Sequence, residues 1–220
     1  MKTWVVIPAF NEKDRILPIA KEALRYCDGM IIVDDGSDEG SRQILSTVPP
    51  EVRVLRHRIN LGKGIALRTG ARAAIQLGAD IVVFMDSDGQ HKPKDIPRFI
   101  EKIETGNVDI VFGARHIGGE MPIAMRIGNY FFSIATKLLF GIFLSDTQAG
   151  FRAFRSTVFE KIMWRSPRYA AETEMVVNAG KHHLRFCEIP IDTVYHDKYK
   201  GTTVIDGLRI FINMLIWRFS

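Results

Sequence analysis

The stretch IVVFMDSDGQHKPKD, Ile81 to Asp95, decides how this chain is built. Five apolar residues, Ile81 to Met85, have the length and character of a buried strand. Asp86 and Asp88 follow one residue apart, and Pro93 suits the first turn of a helix. A buried strand that passes through an acidic turn into a helix is one unit of an α/β fold whose sheet is covered on both faces. The turn also poses a chemical question, because two neighbouring carboxylates repel each other. Either a cation sits between them, or this is an ordinary acidic turn.

The same unit recurs on both sides of that stretch. Trp4–Ala9, Met30–Asp35, Val52–Arg56 and Val108–Ala114 are further strand-like runs, without the strict polar alternation of a half-exposed sheet. Helical patterns lie between most of them, at about Glu12–Tyr26, Ser41–Val48, Gly64–Leu77 and Pro93–Thr105. The expectation is a mostly parallel sheet flanked by helices, in which ligands bind outside the carboxyl ends of the strands. Pro8, Asp34, Asp35, Asp86, Asp88 and Arg115 all fall at such ends. No G-x-G-x-x-G follows the first strand, and NLGKG (Asn60–Gly64) lacks the spacing of a Walker loop. A nicotinamide or flavin cofactor is therefore not expected.

The chain has 220 residues, 46 % hydrophobic and 25 % charged, enough for a large buried core. Its net charge of +5 lies wholly in the second part: residues 121–220 carry 13 basic and 8 acidic side chains, whereas residues 1–120 balance at 17 each. That asymmetry suits phosphate or a charged membrane surface there, and nucleic acid is not among the expected partners. Cys27 and Cys187 have no metal-like spacing and imply a reducing compartment. Met1 leads directly into a strand-like run, so no signal peptide is expected, and no apolar run is long enough for a membrane span. Two segments, at about 122–144 and 204–220, pattern as amphipathic helices. In the first, Arg126, Asn129, Ser133, Thr136 and Lys137 share one face. Each could be a core helix, or could dock on a membrane surface.

Asp86 and Asp88, with the amide oxygen of Gln90, offer hard oxygen ligands for Mg²⁺ or Mn²⁺, which usually also takes phosphate oxygens of a substrate. Arg115, Arg126, Arg152, Lys198 and Lys200 are candidates for binding phosphate, against the alternative that each is a solvated surface charge. His91 is conspicuous, but a lone histidine after a turn is read as structural.

The segments VVIPAFNE, IIVDDGSDEG, NLGKGIALRTG, FMDSDGQHKP, FGAR, SDTQAGFRAF, AAETEMVVNAG, EIPI and HDKYKGTT occur in the order expected of a family 2 glycosyltransferase with the GT-A fold. Within that family the chain resembles the polyprenyl- and dolichyl-phosphate hexose synthases. The resemblance implies a single catalytic domain over residues 1–220, with 1–116 as the nucleotide-binding half and 117–220 as the acceptor-binding half. It implies that Pro8, Phe10, Glu12, Val33 and Asp35 cradle the nucleotide, with Asp86 and Ser87 by the nucleoside. Asp88 and Gln90, with Asp86, would hold the metal against the diphosphate. Arg115, Arg126, Ser133 and Arg152 would bind the acceptor phosphate, while Asp146, Gln148 and Gly150 would border the sugar. Glu174 matches the second acid of a recurrent E-x-E. Ala149 stands where the family usually has serine, and Lys198 where it usually has the arginine of a diphosphate-binding loop.

The implied reaction moves a hexose from GDP-mannose or UDP-glucose to polyprenyl phosphate, with inversion, at the inner face of the membrane. Asp88, Arg115, Asp146 and Glu174 are the expected catalytic set, and the oligomeric state is left open. A rival within the family acts on a saccharide or cell-surface polymer. That acceptor's neutral hydroxyl needs a catalytic carboxylate, for which Asp146 and Glu174 are the candidates. A rival of another class is a non-catalytic nucleotide-binding membrane adaptor.

Overall fold

A computed structural model describes residues 1–13, 15–115, 123–168, 170–192 and 204–219. Among the described residues, seven strands form one sheet: β1 (Thr3–Ala9), β2 (Gly29–Asp34), β3 (Val52–Arg56), β4 (Ile81–Phe84), β5 (Ile110–Arg115), β6 (Arg152–Arg155) and β7 (Phe186–Ile191). Their order across the sheet is β3-β2-β1-β4-β6-β5-β7. Every pairing is parallel except the two made by β6, which runs antiparallel between β4 and β5. The first five strands follow the sequence pattern within two residues at each end. β6 and β7 were not expected from periodicity. Four residues is short for a period-2 signal, and the exposed face of β7 carries Phe186 and Pro190 instead of clear alternation.

Alternate strand residues feed two cores, one on each face of the sheet. Val6, Ile31, Val33, Val82, Phe84, Phe112 and Phe154 point to one core. That face is covered by α3 (Lys63–Gln76), α6 (Phe159–Ile162) and α7 (Ala170–Lys181). Val5, Ile7, Met30, Ile32, Ile81 and Val83 point to the other. There they meet α1 (Ile16–Ala23), α2 (Glu39–Leu45) and α4 (Ile96–Thr105). Burial on both faces is why the strands read as continuous apolar runs.

A third, smaller cluster joins α5 (Ile123–Phe140) to α8 (Val204–Phe219) through Phe132, Ala135, Ile210 and Met214. The middle of the polar stripe of α5 faces inward, while Arg126 is half-buried and Lys137 exposed at its ends. Asn129, Ser133 and Thr136 are buried, while Ile127, Tyr130, Phe131 and Leu138 are exposed. Leu208, Ile212, Ile216 and Phe219 of α8 are exposed as well. Neither helix is long and apolar enough to cross a membrane.

Candidate active site

The carboxyl ends of β1, β2 and β4 open on one edge of the sheet, and the loops there are tied to one another. After β1, Asn11 sits in the left-handed region at φ +57°, a conformation that asparagine tolerates. Its N–H donates to Ser37 Oγ at 3.0 Å, and its side-chain oxygen accepts from Asp38 N at 2.9 Å. Asp38 in turn caps α2 through Ser41 N. Pro8 and Val33 are register partners on adjacent strands and are buried, whereas Phe10 stands exposed beside them. Glu12 is half-buried on the same loop.

The two aspartates that end β2 are both engaged. Asp34 accepts from Ser37 N at 2.9 Å and pairs with Arg56 at 3.1 Å. Asp35 contacts His57 Nδ1 at 2.7 Å and accepts from Leu61 N and Gly62 N at 2.9 and 2.8 Å. The other ring nitrogen of His57 meets Thr69 Oγ1 of α3 at 3.0 Å. Asp35 and His57 thus fasten the NLGKG loop to the strand end. Gly62 enters the helix at φ +99°, a backbone state that glycine adopts without strain.

That fastening delivers Lys63. Its Nζ lies 2.7 Å from Asp86 Oδ1 and 2.8 Å from Glu172 Oε1. Burial alone would lower the Lys63 pKa, but Asp86 and Glu172 outweigh it and hold the ammonium above the ordinary lysine range. Asp86 shows the mirror image: burial pushes its carboxyl up, and the Lys63 ammonium above all, with Arg115, brings it below the ordinary value. His91 is buried, stacks on Phe151 at 5.2 Å, and its Nδ1 accepts from Asp86 N at 3.3 Å. Desolvation lowers its pKa, so its ring is neutral near pH 7.

Past Asp86 the turn holds buried Ser87 and half-buried Asp88. Asp88 Oδ1 accepts from Gln90 N at 2.9 Å, and Gly89 completes the turn at φ +76°. Among the described residues, Asp88 Oδ2 makes no hydrogen bond or ion pair. No three His, Cys, Asp or Glu side chains among the described residues form a ready-made metal cage. The donor set suits a hard divalent cation that takes carboxylate oxygen from Asp88 and the rest of its ligands from phosphate and water.

A second cluster grows from β5 and the turn before β6. Arg115 grips Asp146 with two hydrogen bonds, Nε to Oδ2 at 2.6 Å and Nη2 to Oδ1 at 3.0 Å. Burial would raise the Asp146 carboxyl, yet Arg115 pulls it below its ordinary value. Glu188 of β7 holds the same turn through Ser145 N and Oγ. From α5, Asn129 donates to Ser145 O at 2.8 Å and accepts from Thr147 N at 3.2 Å. Arg115 and the amphipathic helix therefore meet on one turn.

Other expected site residues stand elsewhere in this network. Arg152 is buried and donates to the carbonyl oxygens of Ala149, Glu172 and Thr147, which staples the turn to the start of α7. Desolvation lowers its pKa to about 10. Ser133 is buried with its hydroxyl donating to Asn129 O, while Arg126 is half-buried one turn before Asn129. Glu174 accepts from Arg165 N and Ser166 N at 2.9 and 2.8 Å. Gly64 N in turn donates to Pro167 O at 2.9 Å, so Glu174 supports the segment on which the first turn of α3 rests. Lys198 lies outside the described residues. Lys63, Glu172 and His57 were given no role by the sequence. Lys63 and Glu172 stand in two of the quoted segments, NLGKG and the first acid of E-T-E, and those were their only signal.

The model of the Glycosyl transferase family 2 domain matches residues 4–163. A UDP-N-acetylglucosamine–dolichyl-phosphate N-acetylglucosaminyltransferase of Methanococcus voltae is 33% identical over 97% of this chain and 94% of its own. An undecaprenyl-phosphate mannosyltransferase of Micrococcus luteus is 30% identical over 88% of this chain and 84% of its own. Among solved structures, glucosyl-3-phosphoglycerate synthase of Mycobacterium tuberculosis, in complex with Mn²⁺, UDP and phosphoglyceric acid, aligns with a TM-score of 0.76 at 18% identity. The alignment covers 99% of this chain and 78% of that one, and it shows a shared GT-A fold. With the domain match spanning β1 through α6 and the acidic turn at the end of β4, this chain belongs to glycosyl transferase family 2.

Proposed function

We propose that the protein transfers a hexose from a nucleoside diphosphate sugar to a polyprenyl phosphate at a membrane surface, with inversion at the anomeric carbon. The observation that carries this reading is the junction at Ser145–Thr147. There Arg115 holds Asp146, and α5 is anchored by Asn129 while turning Ile127, Tyr130, Phe131 and Leu138 outward. A cationic group beside an outward apolar face suits an acceptor with an anionic head and a long apolar tail. The names of the Methanococcus and Micrococcus relatives point to the same class of acceptor. With Cys27 and Cys187 both unpaired, the cytoplasmic side of the membrane is the fitting one.

The chemistry needs little from a protein base. A phosphate monoester has its second pKa near about 6, so its oxygen is already a nucleophile at pH 7. That oxygen forms a bond to the anomeric carbon as the bond to the departing diphosphate breaks, and no proton has to be removed. A saccharide hydroxyl would require a general base. Both oxygens of Asp146 are held by Arg115, and both oxygens of Glu174 by backbone N–H groups. This favours the phosphate acceptor over the saccharide. Asp88, with Asp86 and Gln90, would hold Mg²⁺ or Mn²⁺, which neutralises the leaving diphosphate when bound. Phe10, Glu12 and Asp35 would border the nucleoside, and Lys63 would supply positive charge beside Asp86.

The test is transfer of label from GDP-mannose, UDP-glucose or UDP-N-acetylglucosamine into the organic phase, with polyprenyl phosphate and Mg²⁺ or Mn²⁺. One donor is expected to label the lipid, and EDTA to abolish the labelling. Arg115→Ala should lower kcat/KM by about 100-fold or more, equivalent to about 2.7 kcal/mol of barrier. Labelling of a saccharide acceptor with none of the lipid would sink the reading.

A further inference from the structure

Glu172 has a carboxylate oxygen with nothing to do. Its Oε1 pairs with Lys63, while Oε2 is buried and, among the described residues, makes no hydrogen bond, on a residue only 5% exposed. A charged oxygen in that condition is costly, and folded proteins seldom keep one unless a ligand completes it. We propose that Glu172 is a sugar-selecting residue of this enzyme, its Oε2 accepting a hydrogen bond from one hydroxyl of the donor hexose.

Three observations point to that ligand. First, Oε2 belongs to the active-site network, because Lys63 bridges Glu172 directly to Asp86. Second, a bare carboxylate oxygen repels phosphate, so within a nucleotide sugar its partner must be a neutral donor group. Third, the surroundings of Glu172 are suited to a polyhydroxyl ligand. The next residue, Thr173, binds the Gln148 carboxamide at 2.8 Å. Gln148 Nε2 is used by Thr147 and Thr173, which leaves its acceptor oxygen as the remaining face of a half-buried side chain. The cations Lys63 and Arg115 are the groups suited to phosphate. Glu172, Thr173 and Gln148 offer mainly acceptors and hydroxyls, the set that hexose hydroxyls require. Arg152 fixes this side of the site by bonding the Glu172 carbonyl oxygen and the Ala149 and Thr147 carbonyl oxygens together.

The proposal rests on the nucleotide-sugar reading but not on the identity of the acceptor, so its test uses binding alone. Calorimetry on the full chain with Mg²⁺ would compare GDP-mannose, UDP-glucose and UDP-N-acetylglucosamine with GDP and UDP, for wild type, Glu172→Gln and Glu172→Ala. Failure of every nucleotide and nucleotide sugar to bind the wild type would overturn the parent reading instead. Where a donor binds, Glu172→Ala is expected to weaken it roughly 10- to 100-fold, as for a lost hydrogen bond to a charged group. Affinity for the bare nucleoside diphosphate should change by less than about 2-fold, with Glu172→Gln intermediate for the donor. A series of monodeoxy donors then closes a double-mutant cycle. One deoxy sugar should bind wild type as weakly as the intact donor binds Glu172→Ala, and should lose nothing further in the variant. If donor and nucleoside diphosphate weaken together in both variants, Glu172 only holds Lys63 and the proposal fails. Strictly additive losses for every deoxy sugar overturn it too.

Discussion

At the scale of single residues, Lys63 organises the site, because one ammonium separates the buried Glu172 carboxylate from the half-buried Asp86. Replacing it with methionine leaves Asp86 and Glu172 facing each other without a cation. Loss of one partner from such a cluster should cost about 2 kcal/mol or more of stability and most of the transfer activity, read by thermal melting and by the lipid-labelling assay. Gly150 is as tightly constrained. A Cβ there would come within 2.6 and 3.0 Å of the Asp86 carboxylate oxygens and 3.0 Å of Lys63 Nζ. Gly150→Ala is expected to push the Asp86–Lys63 pair apart, costing roughly 1–3 kcal/mol and lowering nucleotide affinity as measured by calorimetry. The Arg115–Asp146 pair has a pH signature. The folded pKa of Asp146 lies below its unfolded value, so its stabilisation is full above about pH 4 and is lost as pH falls through the folded pKa. Melting temperature plotted against pH should therefore fall more steeply on the acid side for wild type than for Asp146→Asn.

Among the elements, the NLGKG loop shows how strand ends are turned into a site. Asp35 and His57 anchor it from below, and Glu174 supports the Ser166–Pro167 segment against which Gly64 bonds. His57→Ala removes one of these anchors and is expected to destabilise the fold by about 1 kcal/mol and to raise the KM for the donor more than it lowers kcat. Element existence was legible where burial on both faces forces apolar runs, hence β1 to β5 and the helices between them. Helix α5 was legible as an amphipathic helix, but not its orientation. A polar stripe is expected to face water, whereas Asn129, Ser133 and Thr136 turn inward to satisfy the Ser145–Thr147 turn and their own helix carbonyls. Phe132 and Ala135 pack on α8, and Ile127, Tyr130, Phe131 and Leu138 are left outside.

For the molecule as a whole, α5 and α8 pack on each other and each leaves large apolar side chains exposed, with α5 anchored to the turn that Arg115 grips. Flotation with anionic vesicles should recover the wild-type protein in the lipid fraction. Leu208→Ser with Ile212→Ser should release it without changing transfer to a short-chain, water-soluble polyprenyl phosphate; an equal loss with both acceptors would refute membrane docking by this face. The sequence by itself determined the α/β class, the family, and the positions of the acidic and basic candidates, because those depend on local patterns: strand length, turn chemistry and short motifs in a fixed order. It did not determine which of those residues face one another. Asp86 was read as one of a pair with Asp88, and its nearest charged partner is Lys63, 23 residues earlier in the chain, shared with Glu172 from α7. The antiparallel strand β6, inserted between β4 and β5, brings Arg152 and the Ser145–Gly150 turn against the end of β4. Only tertiary structure decides such pairings, since the energy of a buried charge depends on what surrounds it and not on its neighbours along the chain.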